Sequence, residues 1–286
     1  MNGNRRQASW LLLPSILLLL ALFYLPQLLM FGVSLGRRSA YGGVVREFSF
    51  ANYLRAIDPL YLNILWRSLL LALATTLLCL LVAYPVAWWI ARRAPAKWRN
   101  ALLALVILPF WTSFLVRMYA WIVLLRSEGV FNLGLGALGL PHAELLYNDF
   151  AVLLGQVYGE LPFMIIPLYV SLEKLDDTLL EAAADCGADA WQAFRSVVLP
   201  QTLPGIAAGS VLVFIPSLGA YLAPDLLGGG KTAYIGNLIQ SQFAVARDMP
   251  FGAALSFVLS LAVVLLLVFF RRPLRSRRPG REASAG

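Results

Sequence analysis

Charge is what this sequence has least of. Only 13% of its 286 residues are Asp, Glu, Lys or Arg, against about a quarter in a soluble globular protein. So small a stock cannot cover a water-facing surface of ordinary size, and a soluble fold is excluded. Histidine is scarcer still. His142 is the only one, so there is no His cluster for zinc, and neither H-E-x-x-H nor G-x-S-x-G occurs. Cysteine is limited to Cys79, inside an apolar run, and Cys186, in a polar loop. The two are not expected to meet, and no disulfide is predicted. Gly230-Lys231-Thr232 imitates the end of a phosphate-binding loop, but Asp225 stands where the earlier Gly belongs, and no strand precedes it. Catalysis and nucleotide binding by this chain are not expected.

Apolar residues fill the gap: 60% of the chain is hydrophobic. A helix crosses the hydrocarbon core with about 20 mainly apolar residues. Six segments qualify: Trp10–Leu35, Arg67–Ala91, Ala101–Leu125, Phe150–Leu172, Pro204–Leu227 and Phe251–Phe270. The first begins like a secretory signal, with Arg5 and Arg6 before an apolar run. It is too long for a signal core and lacks a small-x-small cleavage site, so it is read as a retained first span. Pro in the first, fourth and fifth segments is tolerated where neighbouring helices or water satisfy the freed carbonyls.

The net charge is +8. In a membrane protein this reflects the gathering of Lys and Arg in cytoplasmic loops rather than affinity for nucleic acid. With the N-terminus inside, fourteen of the 23 basic residues fall on the cytoplasmic side, eight fall outside, and Arg117 lies at membrane depth. Both termini are therefore expected in the cytoplasm. The expected organisation is a transmembrane domain over 1–270 and a basic, disordered tail over 271–286. No internal repeat or inverted hydropathy symmetry appears.

The longest cytoplasmic loop, 173–203, is the most informative stretch. Thr178-Leu179-Leu180-Glu181 reads as a capping box. Ala182, Ala183 and Ala184 are strong helix formers. Gly187 can supply a left-handed helix end. Asp189 can cap a second short helix, expected to stop before Pro200. Trp191, Phe194 and Val198 share a face of that helix. So small an element cannot hide such a face by itself; the face requires either the membrane helices or a partner.

Glu181-Ala182-Ala183, Gly187 and Val197-x-Leu199-Pro200 resemble the E-A-A-x3-G-x9-I-x-L-P loop of ABC importer permeases. Every position fits except Val197, where Ile is usual. The resemblance extends further. Leu108-Pro109-Phe110-Trp111-Thr112 with Arg117-Met118-Tyr119 looks like the third helix of polyamine (spermidine/putrescine) permeases. Leu161-Pro162-Phe163-Met164 looks like their fourth. Phe214-Ile215-Pro216-Ser217-Leu218-Gly219 and Pro224-Asp225-Leu226-Leu227-Gly228-Gly229 look like the fifth and the loop after it. The resemblance implies an all-α membrane protein of six transmembrane helices, the type I ABC importer permease fold, with a cytoplasmic coupling helix; residues 1–270 would then be the permease domain, in the inner membrane of a bacterial cell. Glu181, Ala182, Ala183, Gly187, Ala188, Trp191 and Phe194 would form the ATPase-coupling element. It further implies alternating access driven by a separate ATPase dimer that binds ATP and magnesium, a second permease subunit and an external solute-binding protein. No cofactor is expected on this chain.

An ionisable residue inside a span is a functional candidate. Counting about 1.5 Å per residue from the outer helix ends places Arg117 and Glu160 roughly 12 and 14 Å deep. They are expected either to form a structural ion pair or to leave Glu160 facing the pathway, where it attracts a cationic cargo. Asp225, near the expected outer end of the fifth helix, would concentrate polycations at the mouth or serve as an ordinary helix-end carboxylate. Tyr158 and Tyr221, with Tyr119 and Trp121, line the path by cation–π contact or anchor the packing. Competing readings are an ABC permease for another small solute, such as an amino acid or phosphonate, an ion-coupled secondary transporter, and an intramembrane enzyme. The last would need a paired-acid or Ser–His site that is not apparent.

Overall fold

Six apolar segments without strand-like alternation predict a helical bundle, and helices dominate the computed structural model, which describes residues 3–39, 43–45 and 47–275. The chain begins with α1 (Gly3–Ser34), a two-residue hairpin of β1 (Arg37–Arg38) and β2 (Val44–Val45), and the short α2 (Ala51–Ala56). Next come α3 (Pro59–Trp88), α4 (Ala96–Ile107), α5 (Phe114–Leu125), α6 (Val130–Ala137) and α7 (Asp149–Glu173). The 173–203 loop holds α8 (Asp177–Asp185) and α9 (Ala190–Ala193). It leads into α10 (Leu199–Leu218), then α11 (Leu222–Gly228), α12 (Ile235–Ala244) and α13 (Met249–Arg275). Among the described residues, five helices are long and apolar enough to cross a membrane, and a bent pair, Ala96–Trp111 with Phe114–Ala137, makes a sixth. The helix α13 continues through Arg275, so residues 271–275 of the expected tail are helical; residues 276–286 lie outside the described residues.

Two expected spans take a different course. The third is broken: a 3-10 turn at Leu108–Trp111 ends α4, and the two halves diverge by 88°. Pro109 supplies no N–H to the helix ladder and crowds the preceding turn. Thr112 is extended (ψ 149°), and its hydroxyl donates to the Pro109 carbonyl at 2.6 Å. The fifth span is displaced towards the N-terminus. It runs without interruption from Ala190 to Leu218, and α11 is a separate helix. Pro200 therefore does not stop α9. A π turn, Phe194–Val198, joins α9 to α10, with the Leu199 N–H bonded to the Phe194 carbonyl. The wider turn moves the carbonyl that the pyrrolidine ring would otherwise strike.

The packing divides into two units, Met1–Asn63 with Leu238–Gly286, and Ile64–Asn237. In the first, α1 lies along α13, with Phe31 and Phe257 rings 5.0 Å apart. Asn52 donates to the Ser34 and Gly36 carbonyls, each at 2.8 Å, tying α2 to the end of α1. Arg55 pairs with the buried Asp248 at 2.8 Å, and its guanidinium lies 4.0 Å from the Phe251 ring centre.

The second unit is built on α7 and α10. Lipid tails are as apolar as leucine, so close approach and hydrogen bonds, rather than exclusion of water, hold such helices together. Gly209 provides that approach: a Cβ there would lie 2.7 Å from Met164 Sδ. One apolar cluster joins Cys79, Ala83, Ile90, Met164, Leu168, Leu172, Val198 and Val213 at the end that carries the 173–203 loop. Another joins Leu71, Met118, Leu125, Val152, Ala223 and Leu227 at the opposite end. Large apolar side chains stay exposed over the outer faces, among them Leu77 and Leu81 of α3. Such a surface suits hydrocarbon and not water.

Candidate functional site

The 173–203 loop folds into the expected helix–Gly–helix element, with one cap exchanged. Asp176, not Thr178, is the N-cap of α8, and its carboxylate accepts from the Thr178 N–H at 3.0 Å. Glu181 makes no capping box there; the Asp176 carboxylate, two residues before Thr178, satisfies an orphan N–H instead. The box appears on the second helix. Asp189 accepts from the Gln192 N–H at 2.7 Å, and the Gln192 side chain accepts from the Asp189 N–H at 3.0 Å.

Gly187 sits at φ +80°, the left-handed region. The Ala188 N–H reaches the Ala183 carbonyl at 3.0 Å, and the Gly187 N–H reaches the Ala184 carbonyl at 2.8 Å. These two bonds form a Schellman end, which reverses the chain after α8 and satisfies carbonyls that would otherwise be orphaned. Nothing lies within 4 Å of a Cβ built on Gly187, so the requirement there is for backbone conformation and not for space. Glu181 and Ala182 are exposed, while Ala183 and Ala188 are partly covered.

The aromatic face divides. Val198 is buried and Phe194 half-buried against the core, where Phe194 meets the Tyr84 ring edge-on at 5.7 Å. Trp191 stacks on Phe194 at 5.6 Å yet remains 67% exposed. The membrane helices thus cover most of this face and leave one large indole projecting from the loop.

Sequence reasoning missed the residue that holds the start of α8. Arg92 lies in a second π turn, Trp89–Arg93, at the end of α3. Its Nη1 donates to the Leu175 carbonyl at 3.0 Å, and its Nη2 pairs with Asp177. It was legible only as one more basic residue in a short turn, since no local pattern links position 92 to position 177. Beside it lies a cavity of about 400 Å³ lined by Arg92, Arg99, Glu173, Asp176 and Asp177.

At membrane depth, the break in the third span brings Arg117, Tyr158 and Glu160 into one cluster. The Arg117 guanidinium carbon lies 4.2 Å from the Phe110 ring centre, 5.4 Å from Phe114 and 6.0 Å from Tyr158. Tyr158 is edge-on to Trp121 at 5.5 Å. The expected Arg117–Glu160 ion pair is not closed: Arg117 Nε and Nη1 and Glu160 Oε2 are buried without hydrogen-bond partners, although the two charges lie within electrostatic range. The guanidinium is held on aromatic faces instead, a contact that desolvation strengthens.

Tyr221 and Asp225 lie apart from that cluster. Tyr221 precedes α11 and Asp225 occupies its first turn, so Asp225 does not end the fifth span as expected. Both are exposed, joined through the Asp225 N–H and the Tyr221 carbonyl at 2.9 Å. α11 leans on α7 and α5 through Leu227. The loop after it is fixed by the Ile235 N–H donating to Ser68 at 2.7 Å and by the Tyr234 hydroxyl donating to Asp149 at 2.8 Å. Burial, with that bond to Asp149, raises the Tyr234 phenol above its ordinary value. Among the described residues, no three His, Cys, Asp or Glu side chains are grouped to hold a metal. Cys79 and Cys186 are both free, the first buried and the second exposed.

The chain is similar to known proteins over most of its length. The family model for binding-protein-dependent transport system inner membrane components matches residues 80–275. The spermidine/putrescine transport system permease protein PotB of Escherichia coli K12 is 44% identical over 255 residues, covering 88% of this chain and 92% of that protein. Its namesake in Haemophilus influenzae is 42% identical over 250 residues, covering 87% of each. The inner membrane ABC transporter permease protein YdcU of E. coli K12 is 38% identical over 245 residues, 80% of this chain and 77% of that one. Among solved structures, a chain of a bacterial ABC transporter involved in import of the acidic polysaccharide alginate superposes with a TM-score of 0.77 at 19% identity, covering 96% of this chain and 99% of that one.

Proposed function

This chain belongs to the family of binding-protein-dependent transport system inner membrane components, and on that premise we propose that it carries polyamines such as spermidine and putrescine through the membrane. It is a multi-pass inner-membrane permease subunit of an ATP-binding-cassette importer. The likeness to spermidine/putrescine permeases, which runs through most of the chain, carries the choice of cargo. The chemistry of the bundle agrees. Glu160 offers a carboxylate at membrane depth, and Tyr158 offers an aromatic face 6.0 Å from the Arg117 guanidinium that also lies within electrostatic range of Glu160; an ammonium cargo can use a carboxylate and an aromatic face. Tyr221 and the exposed Asp225 would meet the cargo at the mouth, where an acid raises the local concentration of a polycation.

The α8–Gly187–α9 element is the proposed docking point for a separate ATPase that binds ATP and magnesium. Trp191 supports this reading, because a projecting indole beside a covered apolar patch has the character of an interface anchor. A second, similar permease and a solute-binding protein complete the assembly. The Lys and Arg bias supports a cytoplasmic position for this element and for both termini.

The test is reconstitution of the four-component importer in vesicles with external binding protein and internal ATP. ATP-dependent uptake of labelled spermidine is expected, along with loss of ATPase binding in Trp191→Ala. Uptake of an amino acid or phosphonate in place of spermidine would replace the proposed cargo. Uptake driven by an ion gradient without the ATPase would end the proposal.

A further inference from the structure

We propose that Arg92 is a positioning residue that ties α3 to the docking element, so that an ATP-driven displacement of α8 and α9 moves α3 together with α7 and α10. This rests on the proposed docking of an ATPase to that element. The spans α7 and α10 are joined to it by the chain itself, through Glu173 at one end and the π turn Phe194–Val198 at the other. The α3 span has no such link, and its nearest residue lies more than eighty positions away in sequence. Its attachment is by side chains at both ends of the element. At the start of α8, the Arg92 guanidinium grips the Leu175 carbonyl and the Asp177 carboxylate together. At the far end, Tyr84 meets the Phe194 ring, and its hydroxyl lies 3.1 Å from the Thr202 hydroxyl.

The Arg92 side chain is only 14% exposed whereas Asp177 is 72% exposed, so the guanidinium is held against the protein and its bond to the Leu175 carbonyl is sheltered, while the Asp177 carboxylate stays open to water. A planar fork can hold a carbonyl and a carboxylate in fixed directions, which a lysine ammonium cannot do. The π turn that presents it, closed by the Ala94 N–H on the Trp89 carbonyl at 2.9 Å, is a local device frequent at functional sites.

The test uses the assembled importer in lipid vesicles, with spermidine as probe. Arg92→Ala is expected to keep its bound ATPase but to import about fivefold less spermidine per ATP hydrolysed, the lower end for coupled sites. Arg92→Lys falls between it and the wild type. The double variant Arg92→Ala/Asp177→Asn falls no further than Arg92→Ala, because both act through one contact. A second readout is geometric. Spin labels on the native, exposed Cys186 and on Arg93→Cys, exposed in the π turn that ends α3, keep one separation with and without trapped ATP in the wild-type background, and two separations in Arg92→Ala. An unchanged import-to-ATP ratio in Arg92→Ala overturns the proposal, as does a wild-type separation that already changes with ATP. If Arg92→Ala does not fold, Asp177→Asn, at an exposed helix start, decides by the same ratio: a fall supports the proposal and no change overturns it. Failure of the docking premise reads differently, as ATPase binding that survives Trp191→Ala.

Discussion

At the residue scale, the proposed pathway is tested first at Glu160. It sits in a span with one buried oxygen lacking a partner, and a charge so placed is costly unless function retains it. Glu160→Gln keeps size and shape and removes the charge. Spermidine uptake should fall by about tenfold or more, on the scale of a charge-assisted bond of roughly 1.5–3 kcal/mol, while the assembled complex is recovered in normal yield. Unchanged uptake kinetics in vesicles would take Glu160 out of the pathway. Arg117 need not respond in the same way, since its guanidinium rests on Phe110 and not on Glu160. Exchange of the two charges is therefore expected to leave transport impaired, as measured by the same uptake assay.

Gly187 belongs to this scale too. At φ +80° with open space around it, Gly187→Ala meets strain without a clash. A cost of about 1 kcal/mol is expected, visible as weaker ATPase binding, and Gly187→Asn should cost less because Asn tolerates the left-handed region. Equal ATPase affinity for Gly187→Ala and the wild type would remove that requirement.

At the scale of elements, α7 and α10 depend on small residues at their contact. Gly209→Leu would drive a side chain into Met164 and should destabilise the pair by about 1–3 kcal/mol, read as earlier thermal unfolding in detergent. An unchanged unfolding temperature would mean that the helices separate there without loss. Much of this level was legible in the sequence. The second, fourth and sixth apolar runs end within a few residues of α3, α7 and α13, apart from the earlier start of α3. Their ends coincide with changes in polarity. The helix–Gly–helix element was equally plain, because Gly187 and Asp189 act locally.

The failures share one cause. Pro109 and Pro200 carry the same local signal, yet the first sits at an 88° break and the second rides inside a continuous rod. The outcome depends on whether a π turn forms and what packs around it, which is tertiary information. The Arg92–Asp177 contact is invisible for the same reason.

At the scale of the whole molecule, Cys186 and Cys79 form a natural pair of reporters. Cys186 is exposed in the loop and Cys79 is buried in a span. If the loop faces the cytoplasm, a membrane-impermeant maleimide labels Cys186 in inside-out vesicles and leaves it untouched in intact cells. Labelling of intact cells would invert the topology. Cys79 should stay unlabelled in both preparations.

The length of α3 has a consequence for the surrounding lipid. With its π turn it runs from Pro59 to Arg93, 35 residues, or about 50 Å at 1.5 Å per residue, against a hydrocarbon thickness of about 30 Å. Arg67 and Arg92, about 37 Å apart along that rod, stand near its two water-facing margins like floats. A thinner bilayer draws the floats inward by tilting the rod, and a thicker one stands it upright. The packing of α3 on α7 limits how far it can tilt, so acyl-chain length is expected to load the Arg92 contact before any nucleotide is bound.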